Sequence, residues 1–107
     1  MPGLLAAEIQ NEFAGYIRLQ IAQNTGLVYV NDLAVQRKHR HHGVGTALLL
    51  GAQTWAANHG ADRIVLEMQS KNFPAISLVN KLGFEFCGYN DRYYDSLEIA
   101  LFFAKRV

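Results

Sequence analysis

Cysteine is almost absent: Cys87 is the one thiol in 107 residues, and proline occurs twice. A lone thiol excludes an intrachain disulfide framework and a four-cysteine zinc site, and it suits a reducing compartment. Cys87 lies beside Phe84 and Phe86, so it is expected to be a buried small hydrophobe. Charge excess is also missing. Ten Lys and Arg stand against nine Asp and Glu, for a formal charge of +1. That balance argues against a general polyanion surface, and hence against nucleic acid as a partner. No window approaches the roughly 20 apolar residues of a membrane span. Met1 to Ala7 has no basic flank before its apolar residues, so no export signal is read there and a cytoplasmic location is expected. Against these scarcities, half the residues are hydrophobic and 18% are charged. Residues 1–107 therefore read as one globular domain with a folded surface of about 6,000 Å². Its core is modest, and dimerisation would extend it.

Hydrophobic periodicity places the elements. Leu5 to Ile9 and Phe13 to Ile21 read as strands, followed by a turn at Asn24-Thr25-Gly26. Leu27 to Val35 is a stronger strand, rich in β-branched and aromatic residues, interrupted by the polar pair Asn31-Asp32. Such a pair signals a bulge, an open edge or side chains facing a site. Ala47 to His59 is dense in Ala and Leu, with Leu48, Ala52, Trp55 and Ala56 at helical spacing, and Gly60 ends it. Arg63 to Met68 is the next strand. Strand, turn, helix and strand compose a βαβ unit, so the strands on either side of that helix are expected to be parallel. Asn72 to Leu82 reads as a second helix, with Pro74 in its first turn and Ile76, Val79 and Leu82 facing the core. Phe84 to Cys87 and Leu97 to Phe103 are expected as a closing hairpin. The fold class is α/β (α+β): a mixed, mainly antiparallel sheet with two helices.

The sharpest chemical signal is Arg40-His41-His42-Gly43-Val44-Gly45-Thr46, where the strong strand gives way to the long helix. Glycines permit a tight turn and a close ligand approach, and the first helical N–H groups lack intrahelical acceptors. With the helix dipole, these groups suit a phosphate or pyrophosphate. Arg37, Lys38 and Arg40 add positive charge, and Thr46 adds a hydroxyl. The segment is neither a Walker A loop nor GxGxxG, and taken alone a turn that merely requires glycine explains it equally well. His39, His41 and His42 are close in sequence, yet adjacent turn histidines converge poorly, so no metal is expected.

Leu33-Ala34-Val35, followed by Arg40-x-x-Gly43-x-Gly45 and an Ala/Leu helix, resembles the coenzyme-binding segment of the GNAT acyltransferase superfamily. Asn72-x-x-Ala75-x-x-Leu78-x-x-Lys81-Leu82-Gly83-Phe84 is similar to that family's downstream segment, and the resemblance covers Leu5 to Phe103. It implies acetyl-coenzyme A as cosubstrate and direct acetyl transfer to an amine, with no metal. Arg40 would stand at the entrance of the pyrophosphate turn, with His41, His42, Gly43, Val44 and Gly45 forming the cradle and Thr46 opening the helix. The backbone of Leu33, Ala34 and Val35 would hold the pantetheine arm beside a splayed sheet, with Asn72 near the thioester end. The acceptor would be a small-molecule or peptide amine.

The resemblance has gaps where proton transfer is expected. Many members carry a strand Glu as base where this chain has Asn31, and a Tyr where it has Val79, and neither replacement can exchange a proton in that role. Asp32 is the nearest carboxylate and is the expected base, with a hydrogen-bonded turn residue as its ordinary alternative. Tyr94, beside Tyr93, is the candidate proton donor to the leaving thiolate, with aromatic packing at the rim as the simpler reading. The family's usual N-terminal strand and two helices have no counterpart before Leu5. A homodimer partner is expected to supply that wall, with a shortened or fragmentary gene product as the rival reading. The alternative to an enzyme is a non-catalytic coenzyme-binding or regulatory module.

Overall fold

The computed structural model describes residues 2–91 and 98–107. Six strands form one sheet: β1 (Pro2–Ile9), β2 (Glu12–Ala22), β3 (Leu27–Val35), β4 (Arg63–Gln69), β5 (Glu85–Asn90) and β6 (Ala100–Arg106). Helix α1 (Val44–Asn58) joins β3 to β4, and α2 (Phe73–Lys81) joins β4 to β5. The strand order is β1-β2-β3-β4-β6-β5. Only β3 and β4 pair in parallel, as the βαβ reading requires, and the other four pairings are antiparallel.

Both helices cover one face of this sheet. Leu48, Leu49 and Ala52 of α1 and Val79 of α2 share a core with Ile17, Leu19, Val28, Val30, Ile64, Leu66 and Met68. Each large side chain fully buried here contributes about 1.5–3 kcal/mol. Trp55 is only partly buried; it stacks on His59 and lies against Gly3 of β1, where any side chain would collide with its ring. The opposite face has no helix over it among the described residues, and Leu4 and Tyr29 are 65% and 40% exposed. The accessible surface is accordingly 6987 Å², above the expectation for a chain of this mass.

Two irregularities shape the middle of the sheet. Between β2 and β3 the register slips, so that Arg18 faces Asp32, Leu19 faces Val30, and Asn31 is left without a partner. Asn31 is thus a bulge residue, and one extra residue inverts the alternation of the strand. Val28 and Val30 point into the core before it, and Leu33 and Val35 pack against the core after it. The bulge therefore turns Asp32 onto the uncovered face, where Val28 and Val30 alone would have set it pointing inward. The second irregularity is a splay. The β3–β4 register runs only from Leu27 opposite Arg63 to Val30 opposite Leu66. Beyond that pair the strands part, and the β4-facing edge of residues 32–35 has no strand partner among the described residues.

Gly15 sets how closely β2 and β3 approach beneath this opening. A Cβ there would lie 2.6 Å from the Ala34 carbonyl oxygen and 3.3 Å from Val44 Cγ1. Because the first of these is backbone, Gly15→Ala must push the strands apart. Overpacking of this kind costs about 1–3 kcal/mol. A lowered denaturant midpoint with an unchanged slope is the expected result.

Three local expectations are corrected. Cys87 is exposed rather than buried. β5 is an edge strand whose register slips between Phe86 and Gly88, so Cys87 is the unpaired residue of a bulge, and Phe86 is itself 56% exposed. The final strand begins at Ala100 and extends to Arg106, three residues past Phe103, while Leu97 is outside the described residues. Helix α1 begins at Val44, before its Ala/Leu run, after a single 3-10 turn at Arg37–His39 that the polar sequence did not signal.

Candidate functional site

The turn after β3 is built around residues with positive φ. Gly43, at the N-cap of α1, has φ 79° and ψ 10°, and His41 has φ 66°. Glycine adopts this geometry without strain, whereas other L-residues are disfavoured there by roughly 1–2 kcal/mol. No side chain caps α1 and no acidic residue occupies its first turn. The first intrahelical bond is donated by Ala47 to the Gly43 carbonyl, so the N–H groups at the start of the helix remain directed outward. They open on a cleft of about 560 Å³ lined by Leu33, Val35, His39, Arg40, His41, Gly43, Val44, Gly45, Thr46, Asn72, Pro74, Ala75 and Leu78. Open space surrounds the position a Gly43 side chain would take. An anion can therefore reach the backbone, which is what a phosphate cradle requires.

Several expected residues meet here. Arg40 is exposed and bends back over the turn, its Nε donating to the Val35 carbonyl oxygen at 3.3 Å. His42 lines a separate groove with Glu12, Lys38 and His39. There Lys38 and Glu12 form an ion pair that ties the 3-10 turn to β2. The hydrogen bond from Lys38 is the main cause holding the Glu12 carboxyl below the usual carboxylate range. Asn72 is the N-cap of α2, its Oδ1 accepting from the Ala75 N–H at 3.3 Å. Ala34 is exposed and lines neither cleft with its side chain.

A second cleft of about 220 Å³ fills the splay itself. It shares Leu33, Asn72, Ala75 and Leu78 with the first, so the two are continuous from the helix N-terminus to the parting of the strands. Leu49, Leu66, Met68 and Val79 form its apolar floor, and its charged lining residues are Asp32 from β3 and Glu67 from β4. Among the described residues, Asp32 is engaged on one oxygen. Tyr16 donates its phenolic hydrogen to Asp32 Oδ2 at 2.5 Å, and Arg18 Nη2 lies 3.7 Å from the same atom. The hydrogen bond to Asp32, then burial and the Asp32 charge, push the Tyr16 phenol above its ordinary value. Asn31 lines the cleft beside Asp32, and its Nδ2 donates to Gln20 Oε1 at 3.0 Å. Sequence reasoning missed Glu67 and Tyr16. Glu67 was legible only as a polar position in the alternating strand Ile64-Val65-Leu66-Glu67-Met68, and no local pattern joins Tyr16 to a residue 16 positions away. Tyr94 lies outside the described residues. No three His, Cys, Asp or Glu side chains are grouped for a metal among the described residues.

The sequence pattern of the acetyltransferase (GNAT) family matches residues 2–84. This chain belongs to the GNAT acetyltransferase family. Within the family it is 34% identical over 109 residues to an N-alpha-acetyltransferase of Sulfurisphaera tokodaii, covering 92% of this chain and 65% of that protein. The crystal structure of a nourseothricin acetyltransferase superposes with a TM-score of 0.92 at 30% identity, covering 98% of this chain and 65% of the other. A Bacillus anthracis protein described as a streptothricin acetyltransferase, solved with acetyl coenzyme A, gives 0.89 at 30% identity over 97% and 61%. The chain thus spans less than two thirds of the length of each of these GNAT relatives.

Proposed function

We propose that the chain is an acetyl-coenzyme A dependent N-acetyltransferase whose acceptor is a cationic amine. The observation that carries this reading is the continuity of the two clefts. One end offers bare helix N–H groups and Arg40, suited to a pyrophosphate, and the other offers two carboxylates suited to an ammonium. The fit to acetyl-coenzyme A rests on the open space at Gly43 and on the cleft of about 220 Å³ in the splay, and its thioester supplies the acetyl group in activated form. The N–H groups of Val44, Gly45 and Thr46 would bind the pyrophosphate. The unpaired edge of β3 at Leu33 to Val35 would offer backbone bonds along the cleft, and an N–H there is suited to an oxygen gaining negative charge.

The acceptor must lose a proton to attack. The carboxylate for that task was expected at Asp32. In the structure Asp32 Oδ2 is already held by Tyr16 and Arg18, whereas Glu67 has no hydrogen-bond or ion-pair partner among the described residues. We therefore assign the proton to Glu67, and to Asp32 the binding of the incoming ammonium. Acceptors of the related proteins support the class: streptothricin in one group, and the α-amino group implied by the name N-alpha-acetyltransferase in the other.

A thiol-release assay with acetyl-coenzyme A tests the activity against streptothricin, linear diamines and peptides with free N-termini. Release that depends on one of these amines is the expected outcome. Binding of the coenzyme without release across the whole set would favour the non-catalytic module instead. Arg40→Ala should weaken coenzyme binding several-fold, by up to about 1 kcal/mol as for one exposed ion pair, and the loss should shrink as salt is raised. Titrations at low and high ionic strength check this, and equal affinity of the two proteins at low salt would remove Arg40 from the site.

A further inference from the structure

We infer that Tyr16 and Arg18 of β2 are positioning residues for the acceptor: they hold Asp32 by one carboxylate oxygen and leave the other to receive the acceptor's ammonium group. This rests on the proposed acceptor class and adds the device that makes it selective. Asp32 occupies an unusual place. It follows the bulge residue Asn31 and lies two residues past Val30, the last β3 residue paired with β4. The backbone there is paired with β2 on one side, and an unrestrained carboxylate would spread over several rotamers. Two β2 side chains remove that freedom. Arg18 stands directly opposite Asp32 in the β2–β3 pairing, and Tyr16 stands opposite Ala34, so both project from the same face as Asp32. Both contacts fall on Oδ2, at 2.5 Å from the phenol and 3.7 Å from the guanidinium.

The asymmetry has a chemical consequence. Among the described residues nothing holds Oδ1, which is left for a ligand donor in the cleft that Glu67 lines from β4. An ammonium drawn to Asp32 is thereby presented between β3 and β4. The bulge, the pairing partner and the phenol act as one unit: the bulge turns Asp32 to the uncovered face, and β2 fixes its orientation. The raised Tyr16 phenol agrees with a proton that stays on the tyrosine and is shared with the carboxylate.

The test combines kinetics with spectroscopy on Tyr16→Phe, Asp32→Asn and the double variant. With the amine giving fastest thiol release in the streptothricin, diamine and peptide set, Tyr16→Phe should raise the acceptor KM about three- to tenfold with kcat little changed. Asp32→Asn should raise KM at least as much, and adding Tyr16→Phe to it should change nothing further. If Asp32→Asn leaves KM unaltered, the assignment of Asp32 as the ammonium anchor fails. If Asp32→Asn raises KM while Tyr16→Phe does not, that assignment stands and the positioning role is overturned. Ultraviolet titration of tyrosine needs no acceptor. A late-ionising phenol should be present in the wild type, absent in Tyr16→Phe and shifted back toward the ordinary value in Asp32→Asn. Identical titrations of wild type and Asp32→Asn would contradict the hydrogen bond on which the inference stands.

Discussion

Gly43→Val is expected to bind acetyl-coenzyme A about 10- to 100-fold more weakly than the wild type. The cause is conformational. Gly43 has φ 79°, and nothing lies within 4 Å of where its Cβ would be, so crowding by the protein itself is not the obstacle. A β-branched residue resists this backbone, and roughly 1–2 kcal/mol of left-handed strain would be relieved by turning the peptide units that start α1. Those units carry the N–H groups assigned to the pyrophosphate, and each 1.4 kcal/mol lost is about a tenfold loss of affinity. The valine side chain would also fill space the ligand needs. Gly43→Asn is the informative companion, since Asn tolerates the left-handed region and should keep the turn with a smaller loss. Calorimetric titration of both variants, each shown to be folded by circular dichroism, reads the difference. Wild-type affinity in a folded Gly43→Val protein would remove the pyrophosphate from this turn.

The second large effect is expected at Glu67. Proton transfer by a positioned side chain contributes about 10²- to 10⁴-fold, so Glu67→Gln should lower kcat by that order while coenzyme affinity is kept. Asp32→Asn should act mainly on the acceptor KM. The contrast matters because both carboxylates line the same cleft and differ in what already holds them. In steady-state kinetics, a large fall in kcat for Asp32→Asn with little change for Glu67→Gln would exchange the two roles.

Much of this architecture was readable because the relevant signals are local. The β3 limits, Leu27 and Val35, follow from β-branched and aromatic residues bounded by turns, and the parallel β3–β4 pair follows from an intervening helix. The polar pair Asn31-Asp32 announced the bulge, since such a pair breaks an otherwise apolar strand. The turn before α1 was legible from glycines beside a helix start, and Gly43 and His41 take the positive φ of such a turn. What escaped was what depends on neighbours distant in the chain. Cys87 looked buried because it sits among aromatics, yet β5 lies at the sheet edge and a bulge leaves the thiol outside. Glu67 reads as one ordinary polar position until the splay brings β3 and β4 to the two sides of one cleft. Tyr16 and Asp32 are joined only by the register between β2 and β3, which no short motif encodes.

The central claim is that the cleft running from the start of α1 into the splay holds acetyl-coenzyme A. Calorimetric titration of the folded chain with acetyl-coenzyme A, repeated with Gly43→Val, tests it most directly. Saturable binding near one ligand per chain, weakened at least tenfold by the substitution, is the predicted result. A folded wild-type chain that takes up no coenzyme, or one whose binding ignores the change at Gly43, would contradict the account.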